Sequence, residues 1–169
     1  MSAANANPSY PLLRALARIR AAFGHTPSMV LLGAIYESGA VTGKSMDHAN
    51  ELYLKAAQLG DHQAMWHLGV NHLASKGGNT DHTKAVHWLH QAAEAGHAMA
   101  AWALGKMYLS GKLVDQDCQR GLALLEQSAS SHCSQARQTL ADIYREGRHG
   151  VVADPERAAF WSGGQSSAP

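Results

Sequence analysis

The chain has 169 residues, 46% of them hydrophobic and 16% charged, which is enough apolar material for one packed domain and too much for general disorder. Its 14 basic and 13 acidic residues leave a formal net charge of +1, without the basic excess expected of a partner for nucleic acid or for an anionic membrane. No run of roughly 18 apolar residues occurs, so no transmembrane helix is predicted.

In chain order, residues 1–9 read as a flexible tail. The opening MSAANANPSYPLLRALARIRAAFG has arginines inside its apolar part, unlike a secretory signal. A repeat then dominates the chain. Leu32-Gly33, Leu68-Gly69 and Leu104-Gly105 are spaced by 36 residues, and the next step falls on Leu140-Ala141. Three residues after the glycine stand Tyr36, His72, Tyr108 and Tyr144. A second block, Lys55-Ala-Ala57, Gln91-Ala-Ala93 and Gln127-Ser-Ala129, keeps the same step, and Gly60, Gly96 or His132 follows it.

Each unit therefore reads as two helices, A and B, and two turns. Leu68 and His72 share a helix face with Ala64. A glycine inside a helix costs about 0.8–1 kcal/mol relative to alanine, so its repetition predicts a close helix crossing with no room for a Cβ. Helix A is expected to stop at Gly39, Gly77 or Gly111. Helix B is expected to start near Asp81 or Asp117 and to bury Ala85, Trp88, Leu89, Ala92 and Ala93. In the fourth unit Asp154-Pro155 predicts a helix start, and that helix breaks off in SGGQSSAP. Counting back 36 from Ala57 and Gly60 reaches Ala21 and Gly24, which predicts an extra B-type helix capping the first unit. The resulting divisions are a capping helix at 10–24, repeats at 28–63, 64–99, 100–135 and 136–161, and a flexible tail at 162–169.

These residues resemble the Sel1-like repeat, a relative of the tetratricopeptide repeat. In the second unit the matching positions are Ala64, Trp66, Leu68, Gly69, Asp81, Lys84, Ala85, Trp88, Ala92, Ala93 and Gly96. In the fourth they are Gly150-Val151, Asp154, Ala158 and Trp161. Gly121 and Ser128 in the third unit, and Ser45 in the first, depart from the pattern. The resemblance implies an all-α fold: a right-handed α-solenoid of antiparallel helix pairs with the A helices lining the concave side. It also implies a non-catalytic scaffold or adaptor that holds a partner protein or peptide. Short relatives in bacteria also serve as immunity proteins or chaperones for a toxin or secreted effector, which is the alternative expectation.

By the tetratricopeptide register, three rows face the groove: Val30, Trp66, Trp102 and Gln138; Ala34, Val70, Lys106 and Asp142; Glu37, Leu73, Leu109 and Arg145. The candidate partner-binding residues are Glu37, Trp66, Val70, Leu73, Trp102, Lys106, Leu109, Gln138, Asp142 and Arg145. The tryptophans also belong to the repeat pattern, so helix packing competes with binding for them, and Leu73 and Leu109 divide evenly between core and groove. Lys106, Asp142 and Arg145 break the pattern, and a solvated face competes there.

The sequence offers little chemistry. Eleven histidines are scattered, with no HExxH or CxxC, and no metal site is expected. Gly39 to Ser45 mimics the end of a phosphate loop but has three residues between its glycines where four are needed. No catalytic residue and no cofactor is expected. About 1.5 Å of rise per residue puts Cys118 and Cys133 roughly 20 Å apart, beyond the ~7 Å reach of a disulfide. Reduced thiols, with no signal or spanning segment, predict a cytoplasmic protein. The truncated last helix pair predicts self-association through its apolar end.

Overall fold

The computed structural model describes residues 9–39, 43–74 and 80–163. Among them the chain is all-helical, with nine α-helices and no strand, in the helix order of an α-solenoid. The tails expected at 1–9 and 162–169 fall mostly outside the described residues, as does Gly77, the expected cap of the second A helix. The chain divides into two compact units, Met1–Trp88 and Leu89–Pro169.

The first unit holds α1 (Ser9–Ala22), α2 (Thr26–Ser38), α3 (Met46–Gln58) and α4 (His62–Leu73), and α5 (His82–Glu94) crosses the boundary. Here α2 packs on α1 and on α3, and α3 on α4. The second unit holds α6 (Ala98–Ser110), α7 (Cys118–Ser130), α8 (Ser134–Glu146) and α9 (Pro155–Gly163). Each of these packs on the next. The apolar positions predicted from the 36-residue step are interior. Leu32, Leu68, Leu104 and Leu140 are all 3% exposed or less.

The helix starts follow the same step. The B helices α3, α5, α7 and α9 each begin at a short polar residue whose side-chain oxygen accepts a backbone N–H three positions on. Ser45 takes His48 N at 3.4 Å, Asp81 takes Lys84 N at 2.9 Å, Asp117 takes Arg120 N at 2.9 Å and Asp154 takes Arg157 N at 3.0 Å. Ser45 thus does the work of the missing aspartate. The A helices start on a second row. His25 Nδ1 accepts Ser28 N, Asp61 Oδ1 accepts Ala64 N, and His97 Nδ1 accepts Ala100 N. Cys133 holds the fourth place without a side-chain capping bond.

Gly39, Gly111 and Gly147 end their helices in the left-handed region, at φ 70°, 66° and 65°, where a residue without Cβ is free of strain. α4 differs, ending at Leu73 with Ala74 at φ −88°. His132 adopts φ 62° where the preceding repeats place Gly60 and Gly96.

The close crossing expected of the repeated glycine is present in both units. A Cβ on Gly33 would stand 2.5 Å from Cε1 of Tyr53, and one on Gly105 would stand 2.9 Å from the carbonyl oxygen of Gly121. A Cβ on Gly121, which departs from the repeat's alanine, would stand 2.9 Å from the Gly105 carbonyl oxygen and 2.9 Å from the Leu109 side chain. In the second unit Leu109, Leu125, Leu140, Ile143 and Tyr144 form one core, and Trp102 and Trp161 pack against it.

Candidate functional site

In the second unit the groove candidates lie on α6 and α8. Trp102 is half-buried, and its indole N–H donates to Thr139 Oγ1 at 3.1 Å. The Thr139 hydroxyl donates in turn to the Gln135 carbonyl at 2.7 Å. One turn along α6, Lys106 is exposed and its Nζ lies 4.7 Å above the Trp102 ring, a cation–π contact. On α8, Gln138 Nε2 donates to Asp142 Oδ1 at 3.0 Å, and Arg145 donates to the same oxygen. Gln138, Asp142 and Arg145 therefore form one polar ladder, with the carboxylate already matched.

A cleft of about 300 Å³ opens where α6 meets α8, lined by Lys106, Ser110, Thr139 and Asp142 above a floor of Leu109 and Ile143, with Arg148 and His149 at its end. Arg148 is paired to Glu146 at 2.7 Å, and Asp142 to Arg145. The Lys106 ammonium keeps its charge exposed at the rim, over an aromatic ring. The cleft has the dimensions of a side chain, and its lining residues present no paired nucleophile and base.

Leu109 is 4% exposed and part of the core, because the missing side chain of Gly121 leaves the space it fills, and it reaches the cleft only as part of its floor.

In the first unit Glu37 is likewise drawn inward. Its carboxylate accepts the Tyr53 hydroxyl at 2.9 Å and stands 3.8 Å from His67 Nδ1. The His67 ring stacks on Tyr53 with centroids 4.5 Å apart and planes 6° from parallel. Burial, and after it the Glu37 charge and hydrogen bond, hold the Tyr53 phenol well above the usual tyrosine range. Trp66, Val70 and Leu73 are half-buried on α4, at helical spacing that keeps them on one face.

Several of the histidines have local structural roles. His25 and His97 cap helices, His67 stacks on Tyr53, and His90 is hydrogen-bonded to the Tyr108 hydroxyl at 2.9 Å. Among the described residues no three His, Cys, Asp or Glu side chains gather where a metal ion could be held. Cys118 and Cys133 are free thiols.

One constellation escaped the sequence reading. The tyrosine of helix A meets a basic residue near the start of the B helix that follows it. Tyr36 stacks on His48 with centroids 5.3 Å apart, Arg120 lies 4.7 Å above Tyr108, and Arg157 lies 5.3 Å above Tyr144. Arg157 also donates to the Tyr144 hydroxyl at 3.0 Å. The signal was the shared spacing of 12 or 13 residues between each pair. In the first unit this side carries a second cleft of about 350 Å³, with Arg18, Tyr36, His48 and Lys55 around Leu32 and Leu52.

Comparison with known proteins places these features. The model of the Sel1 repeat matches four times, at residues 26–61, 62–97, 98–132 and 136–162. No curated protein matches the chain. Among solved structures, a protective antigen of uropathogenic Escherichia coli displaying an SLR fold superposes with a TM-score of 0.82 at 27% identity, over 89% of this chain and 32% of that one. A Sel1 repeat protein from Oxalobacter formigenes superposes with a TM-score of 0.80 at 24% identity, over 90% of this chain and 64% of that one. The chain thus spans about a third of the first relative and under two thirds of the second.

Proposed function

The chain belongs to the Sel1 repeat family, whose members generally serve as protein-interaction scaffolds, and on that premise we propose that it is a non-catalytic scaffold holding a partner protein or peptide on the A-helix face of its repeats. The α6–α8 cleft carries this reading. It combines a half-buried indole, an ammonium held over that indole, and free rim area beside a satisfied polar ladder. Aromatic anchors in a partly desolvated cleft concentrate binding energy, and rim charges fix orientation. Trp66, Val70 and Leu73 offer an apolar strip of the same kind in the first unit.

The test is capture from native lysate by the full chain and by the double variant Lys106→Glu/Arg145→Glu. Both positions are exposed, so the variant is expected to keep its far-ultraviolet circular dichroism. A protein retained by the wild type and depleted about tenfold by the variant supports the proposal, since reversing interfacial charges costs more than ~1.4 kcal/mol where they meet opposite charge. Equal capture by both refutes a role for the α6–α8 face. A captured toxin or secreted effector would narrow the role to immunity or chaperoning.

A further inference from the structure

The near-neutral total charge hides a segregated one. From Ser9 to His25 the chain carries Arg14, Arg18 and Arg20 and no aspartate or glutamate. This segment is α1 and the turn after it. Its inner side is small and apolar, with Ala17 4% exposed and Ala21 packed against the cluster of Ala17, Leu32 and Ile35.

The outer side is apolar too. Leu16 is 51% exposed, Ile19 57% and Phe23 86%, at spacings that align them along one edge of the helix. At about 100° of turn per residue, Arg20 falls roughly 70° from that edge on one side, and Arg18 roughly 130° from it on the other, where only its long side chain extends back toward the edge. Arg20 leans to His25, its Nη2 lying 2.9 Å from the ring Nε2. Arg14 lies farther round, 6.0 Å above the Tyr36 ring.

A second copy is a poor occupant for this edge. Three partly exposed side chains offer far less than the roughly 800 Å² per partner of a stable protein interface, and two such helices face to face would bring arginines together with no acid between them. A lipid surface sets no such area threshold. It takes single apolar side chains into the boundary between headgroups and acyl chains, and its phosphates supply the missing negative charge. No helix among the described residues is long and apolar enough to cross a membrane, so the fit is to lying on a bilayer.

We propose that α1 docks the chain on an anionic lipid surface, with Leu16, Ile19 and Phe23 immersed at the headgroup level and Arg18 and Arg20 paired to lipid phosphates.

The test is co-flotation of the full chain with vesicles of equal parts phosphatidylglycerol and phosphatidylcholine, against phosphatidylcholine alone, in 0.1 M salt. The expected result is at least tenfold stronger partitioning into the anionic vesicles, falling steeply at 0.5 M salt. Ile19→Ser/Phe23→Ser should lower that partitioning about tenfold or more. Arg18→Glu/Arg20→Glu should remove the preference for anionic lipid. All four positions are exposed, so circular dichroism should not change. Absent or lipid-independent partitioning, or partitioning untouched by Ile19→Ser/Phe23→Ser, overturns the proposal. So does a dimer in sedimentation that this variant dissolves, which would seat a second copy on the edge instead.

Discussion

Gly121→Ala sets repeat statistics against packing. Three of the four repeats carry alanine here, as Ala49, Ala85 and Ala158, and alanine is favoured over glycine inside a helix by about 0.8–1 kcal/mol. On those grounds the substitution should stabilise. The structure reverses the sign. The new methyl would stand 2.9 Å from the Gly105 carbonyl oxygen and 2.9 Å from Cγ and Cδ2 of Leu109, about 1 Å inside ordinary carbon–carbon contact. Leu109 is 4% exposed and packed in the core, so moving it disturbs its neighbours, and a backbone oxygen yields only if the helices part. Overpacking of this kind costs about 1–3 kcal/mol, and a backbone obstacle puts it in the upper half of that range. After the helix-propensity gain the net loss is about 1–2 kcal/mol. Urea unfolding followed by circular dichroism should show a lower midpoint at unchanged slope. Leu109→Ala alone should cost about 2–5 kcal/mol, and measurably less in the Gly121→Ala background, because the pair competes for one space. A Gly121→Ala protein more stable than wild type by about 1 kcal/mol would refute the packing argument.

Tyr53→Phe should cost about 1–2 kcal/mol at neutral pH by removing the hydroxyl that Glu37 accepts. The folded-state pKa of Tyr53 is raised above its unfolded value. Its contribution is therefore complete below about pH 10 and is lost as pH rises beyond it, so the gap between wild type and Tyr53→Phe in paired urea titrations should narrow above pH 10. A constant gap would place the stabilisation elsewhere. His132→Gly should stabilise by about 0.5–1 kcal/mol, since His132 holds φ 62° in the glycine register. A lower thermal midpoint for that variant would mean that the imidazole makes contacts worth more than the strain.

What the sequence revealed depended on whether chemistry or only position was repeated. Leu32-Gly33, Leu68-Gly69 and Leu104-Gly105 are alike in type and spacing, so the helix pairs and the close crossings could be read directly. Asp154-Pro155 announced α9 by local rules alone. The A-helix caps were hidden because His25, Asp61, His97 and Cys133 share a register and no chemistry. Glu37 sits in the same row as Leu73, Leu109 and Arg145 and looked like a groove residue. Its partner Tyr53 lies 16 residues away, and only the fold brings them together. Leu109 was undecided because its burial depends on an absence at Gly121, a position that reads as a mere departure from pattern. Charge balance summed over the whole chain hid the arginines of α1, since the acids that offset them lie elsewhere in the sequence.

The contact between Lys106 and Trp102 has an optical consequence. An ammonium 4.7 Å above an indole imposes a local field on the ring's excited state, and an acidic group entering the cleft would draw that ammonium away. The chain contains four tryptophans, and replacing Trp66, Trp88 and Trp161 by phenylalanine would leave Trp102 as the sole emitter. Its emission maximum would then follow occupancy of the α6–α8 cleft in real time, without a label.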